Sequence, residues 1–229
     1  KIAPYGITDG SGARQGDTGS KQGAYGKVEI HKHSKLSQLT HLDEVFCALS
    51  LLYGPSSMAN RVSSTADEDS KFCDNMLGKV SRSFAAVIRQ LPEDLCMDIL
   101  IFYLALRGLD TIEDDMEAFK GREHEKIAHL QTFHLTGLMQ EGWHMEGVGE
   151  GDEKTLLEQF YRCGNVFRSL PEASQEVIAD ITERMGCGMA EFVQKDLGQG
   201  TVTVEDYNQY CHYVAGLVGE GLSRLFTCT

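Results

Sequence analysis

The sequence has no Cys-x-x-Cys pair, no basic surplus and no apolar run long enough to cross a membrane. The seven cysteines, Cys47, Cys73, Cys96, Cys163, Cys187, Cys211 and Cys228, are scattered and odd in number. That is the pattern of reduced thiols in a cytosolic setting, not of a disulfide framework. Twenty-one Lys and Arg face 34 Asp and Glu, a net charge of −13. This excludes the basic face a nucleic-acid groove needs and suits a site that gathers cations through carboxylates. The longest apolar run, Ile99 to Leu106, is cut by Arg107, whereas a spanning helix needs about 20 apolar residues. The start lacks the apolar core of a signal peptide, and Lys1 is not an initiator methionine. The sequence is therefore expected to be a fragment at its start as well as its end. No GxGxxG or GxxxxGK[ST] loop occurs. His124-Glu125 with His129 misses the HExxH zinc spacing by one residue, which sets the imidazoles about 140° apart on a helix. His31 and His33 supply two ligands, fewer than a metal needs.

What is present is helical pattern. Residues 1–35 are Gly-rich and polar, and their composition predicts a disordered or loosely attached tail. Residues 36–229 form the folded part. Leu36–Tyr53 predicts a short helix, and Asn60–Ser70 a polar linker. Further helices are predicted over Lys71–Gln90, Pro92–Phe119, Glu123–Leu138, Leu156–Arg168, Glu172–Lys195 and Val204–Phe226. Glu141–Asp152 reads as a Gly-rich acidic loop. No alternating run supports a sheet, so the class is all-α.

The strongest chemical signal is Asp110-Thr111-Ile112-Glu113-Asp114-Asp115. On a helix, Asp110, Glu113 and Asp114 share a face, with Asp115 partly aside. Three like charges on one face need either solvent or a cation. Carboxylates without imidazole or thiolate suit Mg²⁺, which is usually shared with substrate phosphates. Stepping back along that face gives Arg107, Leu106 and Tyr103 inside an otherwise apolar segment. A buried helix with a polar cleft along one side is expected. Arg107 is placed to pair with Asp110 or to meet a phosphate.

Ser81, Arg82 and Ser83 offer hydroxyls and a guanidinium to phosphate oxygens, beside an apolar Phe84. On the last helix Tyr210, Val214, Leu217, Val218, Gly221, Leu222 and Leu225 form one apolar face with a phenol near its start. Gly216, Gly219 and Gly221, like Gly186 and Gly188, permit either close helix packing or room for a bulky apolar ligand.

In order and spacing, Ser81–Ile88, Ile101–Leu104 with Arg107, Leu109–Met116, Val177–Ile181, Arg184–Phe192 and Tyr210–Gly219 with Gly221–Phe226 resemble the squalene synthase family. The resemblance covers about residues 72–226. It implies the isoprenoid synthase helical bundle, incomplete at the C-terminus. It implies Mg²⁺ on Asp110, Glu113 and Asp114, and farnesyl diphosphate as substrate, with Asp110, Asp114 and Tyr210 in the chemistry. Arg82 and Arg107 match arginines that contact phosphate or NADPH. Tyr103, Phe84, Val214, Val218 and Leu222 match the walls of a prenyl cavity. The implied reaction joins two farnesyl diphosphates into presqualene diphosphate, and NADPH then reduces it to squalene. The implied location is the cytosolic face of the endoplasmic reticulum membrane, through a C-terminal anchor absent from this sequence. The chain by itself is expected to be inactive. A related head-to-head synthase making phytoene or a squalene-like product, or a non-catalytic truncated diphosphate-binding helical protein, are the alternatives. Oligomeric state is left open.

Overall fold

A computed structural model describes residues 21–23, 26–28, 46, 67–195, 201 and 203–228. Residues 2–57 and 58–229 form separate compact units. In the first, β1 (Lys21–Gly23) and β2 (Gly26–Val28) pair antiparallel, with Lys21 opposite Val28. The helix expected over Leu36–Tyr53 lies outside the described residues, except for helical and exposed Phe46. His31, His33 and Cys47 also lie outside them.

Every regular element described in the second unit is helical: α1 (Glu68–Val80), α2 (Arg82–Ile88), α3 (Glu93–Asp114), α4 (Glu123–Thr136), α5 (Gly151–Glu158), α6 (Tyr161–Ser169), α7 (Glu172–Gln194), α8 (Val204–Cys211), a π segment (His212–Gly216) and α9 (Leu217–Cys228). Three expected boundaries shift. The helix expected over Lys71–Gln90 breaks at Ser81, which turns extended and caps α2, its hydroxyl accepting the Phe84 N–H. The helix expected to run to Phe119 stops at Asp115, also extended. The helix expected over Leu156–Arg168 divides between α5 and α6, beside fully buried Phe160.

The bundle is organised around α3, which packs against α1, α2, α4, α5, α6, α7 and α9. Its residues Ile99, Leu100, Ile101, Phe102, Leu104, Ala105, Leu106, Leu109 and Ile112 are all buried. The most extensive packing is α4 on α7. There a Cβ at Gly186 would lie 2.2 Å from the Leu130 carbonyl oxygen. On α9, a Cβ at Gly221 would lie 2.5 Å from Phe102 Cζ. At both positions, and at Gly188 facing the Tyr213 ring, the glycines serve close packing rather than open space; Gly219 alone of these five meets nothing within 4 Å, and Gly216 abuts its own helix's His212. Arg184 forms a bidentate pair with Glu220 at 2.5 and 2.9 Å, and Arg224 pairs with Asp180, tying α7 to α9. The six described cysteines are free thiols, and buried Cys73 and Cys163 stand 3.7 Å apart between α1 and α6.

Candidate active site

The less buried positions of α3 fall in one stripe. Tyr103, Arg107, Asp110 and Glu113 are half-covered and Asp114 is exposed, while their neighbours are buried. The steps of four, three and three follow the helical repeat, so the polar groups share one wall as expected.

Other elements converge on that wall. From α2, Phe84 places its ring 5.3 Å from that of Tyr103. Arg107 donates to the Tyr103 hydroxyl at 3.0 Å and lies over the same ring. It also reaches Asp110 at 4.0 Å and Glu153 of α5 at 3.6 Å. Its Nε is buried without a hydrogen-bond partner. From α4, Lys126 is 3% exposed and donates to the Asp115 carbonyl at 3.3 Å. From α8, Tyr210 packs edge-on against Phe192 of α7, with ring centroids 5.3 Å apart.

The electrostatics report the crowding. Burial, joined by the charge of Asp114, lifts Asp110 to about 6 against the pull of Arg107. Burial and Asp114 lift Glu113 to about 7, against Lys126. Burial, then the charges of Glu113, Asp114 and Asp110, push the Tyr210 phenol up to about 12. The charges of all three carboxylates thus act on the phenol. Burial holds Lys126 below the usual lysine range despite Glu113, Asp115 and Asp114.

Asp115 behaves differently from the three before it. Burial pushes its carboxyl up, but backbone N–H groups of Ala118, Gly149 and Glu117 outweigh this and hold it low. Those bonds measure 2.8, 2.8 and 3.0 Å. Gly149 is required there: its φ is +81° and a Cβ would lie 2.5 Å from Thr111 Cγ2. Asp115 thus ends α3 and ties it to the loop that leads into α5 and Glu153.

Of the residues singled out from sequence, Phe84, Tyr103, Arg107, Asp110, Glu113 and Asp114 come together, while Tyr210 packs on Phe192 and feels the carboxylates electrostatically. Ser81 caps α2, while Arg82 and Ser83 face solvent. Val214, Val218 and Leu222 are half-buried against the core. Lys126, Glu153 and Phe192 were not singled out. For Lys126 the signal was present, because Lys126, Leu130 and Phe133 share the buried face of α4.

Among the described residues no three His, Cys, Asp or Glu side chains enclose a metal site. The donors nevertheless fit Mg²⁺, which takes one or two carboxylates and completes its shell with water and phosphate. Asp110 and Glu113, held above their ordinary ranges by burial and a neighbouring charge, are groups that a cation would relieve.

A helical bundle with a carboxylate-lined wall on its central helix is the class that these features define. The family model for squalene/phytoene synthase matches residues 77–229, and the chain belongs to that family. Squalene synthase BSS of Botryococcus braunii is 48% identical over 163 residues, covering 71% of this chain and 34% of that protein. The squalene synthase of Nicotiana benthamiana is 48% identical over 155 residues, covering 68% of this chain and 36% of its own length. Lycopaoctaene synthase of Botryococcus braunii is 41% identical over 188 residues, covering 82% and 40%. The structure described as the complex of TcSQS with the ligand BPH1237 superposes with a TM-score of 0.65 at 44% identity, covering 71% of this chain and 45% of that one. The chain thus spans about a third of the length of the squalene synthases it matches.

Proposed function

We propose that this bundle carries the site for the first farnesyl diphosphate of a squalene-forming, head-to-head prenyl transferase. The observation that carries this reading is the single stripe of Tyr103, Arg107, Asp110, Glu113 and Asp114 along α3, whose carboxylate charges act on the Tyr210 phenol of another helix.

Asp110, Glu113 and Asp114 would hold Mg²⁺. When bound, Mg²⁺ supplies charge neutralisation for a departing diphosphate. Arg107, poised between Asp110 and Glu153, has a guanidinium to turn toward phosphate oxygens. Arg82 and the hydroxyls of Ser81 and Ser83 would add donors from α2. The Phe84 and Tyr103 rings would line the start of an apolar channel, and Val214, Val218 and Leu222 its far wall. Apolar lining excludes water from an allylic cation, and aromatic faces stabilise it. Tyr210 would stabilise the cation before the cyclopropane closes, or relay the proton then lost, taking it up as its own hydroxyl proton passes to a carboxylate or the departing diphosphate. NADPH fits poorly among the described residues. The acidic wall repels its phosphates, and Arg107 and Arg82 are the donors that the farnesyl diphosphate would already occupy.

A related head-to-head product is the second reading, favoured by the likeness to lycopaoctaene synthase across 82% of the chain. Among the described residues no helix is long and apolar enough to cross a membrane, and placement at the endoplasmic reticulum rests on the family. The division into a tail, 1–35, and a folded part, 36–229, is likewise proposed, and limited proteolysis tests it. For function, binding of a non-ionising farnesyl thiodiphosphate is measured with and without Mg²⁺. Mg²⁺-dependent binding that Asp110→Ala abolishes supports the reading. Equal binding without Mg²⁺, or undiminished binding by Asp110→Ala, contradicts it. A geranylgeranyl analogue that binds better would favour the second reading.

A further inference from the structure

The last helix contains one residue more than a regular α-helix would. Across His212–Gly216 the hydrogen bonding lengthens by one residue, the Leu217 N–H donating to the His212 carbonyl five positions back. Such insertions recur at functional sites. Two rows spaced by four residues run through it. Tyr213, Leu217, Gly221 and Leu225 form one, its last three members buried. Tyr210, Val214, Val218 and Leu222 form the other, all half-buried. In a regular α-helix a row of every fourth residue drifts about 40° per step, so Leu222 would lie about 120° from Tyr210. A π turn advances each residue by roughly 80° instead of 100°, which reduces that drift to about 20°. The phenol and three aliphatic side chains then line one wall, beside the core row.

Particular contacts hold the insertion open. The Tyr213 ring lies where any Cβ at Gly188 would be, with its Cγ only 2.3 Å from that position. The Tyr213 hydroxyl accepts from Gln209 Nε2 at 2.9 Å and donates to Glu191 at 3.4 Å. Gly216 makes room for the His212 ring, whose Nδ1 would lie 2.7 Å from a Cβ there. Phe192 packs between the two phenols, 5.3 Å from Tyr210 and 6.2 Å from Tyr213.

We propose that Tyr213, seated over Gly188, is a positioning residue that keeps the π insertion and thereby turns Tyr210 onto the carboxylate wall in line with Val214, Val218 and Leu222. The inference rests on the reading of that wall as the diphosphate site. The rotation must fall on α8, because α9 is locked by Gly221 against Phe102 and Ile181, whereas α8 has no buried residue.

The test deletes exposed Ala215 in the full chain and follows nuclear Overhauser contacts of the aromatic ring protons. The contact between Phe102 and Gly221 should persist, and that between Phe192 and Tyr210 should be lost as α8 turns by about 100°. If the deletion does not fold, Tyr213→Ala should lose the same Phe192–Tyr210 contact, and Tyr213→Phe, which keeps the ring over Gly188, should retain it. A Phe192–Tyr210 contact that survives the deletion, or survives Tyr213→Ala, overturns the inference. A second arm adds Mn²⁺ to 3-fluorotyrosine protein. Broadening of Tyr103 and Tyr210 in the wild type, and of Tyr103 only in the register variants, ties the turn to the site. If Mn²⁺ broadens neither tyrosine in the wild type, the diphosphate-site reading fails, while the ring contacts still decide the register.

Discussion

Without divalent cations, lowering the pH from about 8 to about 5.5 should stabilise this bundle through its acidic wall. Burial and a neighbouring charge hold Asp110 at about 6 and Glu113 at about 7. In the unfolded chain both ionise in the ordinary carboxylate range near 4. Between those limits the folded state binds more protons than the unfolded one, so stability rises as the pH falls. Down to about pH 5.5 Asp110 realises about 0.6 of a pKa unit of that linkage and Glu113 about 1.5, which correspond to about 0.8 and about 2 kcal/mol if nothing screens them. The Asp110 side chain keeps 34% of its exposure and Glu113 is also half-covered, so water screens these to about a third. Together they give about 1 kcal/mol, or a rise of about 3 °C in melting temperature for a domain of this size. His129 works in the opposite direction below about 6.5, because burial holds its imidazole low. The assay is therefore a difference: thermal unfolding followed by circular dichroism, for wild type and for Asp110→Asn/Glu113→Gln, at both pH values. His129 and general charge repulsion cancel in that comparison. The variant should lose most of the acid stabilisation, and Mg²⁺ at about pH 8 should stabilise the wild type but not the variant. A wild type and variant with the same pH dependence would refute the reasoning.

Lys126→Met removes the buried ammonium that opposes protonation of Glu113, so the pH midpoint in those melts should move upward; an unchanged midpoint counts against the pairing. Asp115→Asn leaves a single acceptor oxygen for three backbone donors and should cost about 1–2 kcal/mol, with faster hydrogen exchange at Ala118 and Gly149. Gly186→Ala drives a Cβ to 2.2 Å from the Leu130 carbonyl, which is backbone and cannot swing aside, so denaturant melts should show a loss of about 3 kcal/mol or more. Gly219→Ala meets nothing within 4 Å and should stabilise by up to about 1 kcal/mol.

Much of this arrangement was legible in the sequence because α3 obeys one rule along its whole length. Its polar residues sit three and four apart in an apolar helix, and spacing of that kind survives any tertiary context. The breaks were harder to read. Ser81 ends α1 without a proline or glycine, by turning its hydroxyl to the Phe84 N–H. Asp115 ends α3 ahead of Gly121 because its carboxylate finds Gly149, 34 residues away. The π insertion is hidden from periodicity, which assumes a constant repeat. It turns the single apolar face expected from Tyr210 to Leu225 into two adjacent rows. The glycines were ambiguous because pattern cannot tell a close neighbour from open space, and only coordinates separate Gly221 from Gly219. Lys126 could have been noticed as a cation on an apolar face, whereas Glu153 joins the wall only through the fold of the loop before α5.

The central claim is that Asp110, Glu113 and Asp114 take a diphosphate through magnesium while Arg107 and Tyr210 stand beside it. A crystal structure of this chain grown with Mg²⁺ and inorganic pyrophosphate tests it most directly. The account predicts density for a cation bridging Asp110 and a neighbouring carboxylate to the pyrophosphate, with Arg107 turned toward a phosphate oxygen. Pyrophosphate seated elsewhere, or a cation held without touching Asp110, Glu113 or Asp114, would contradict it.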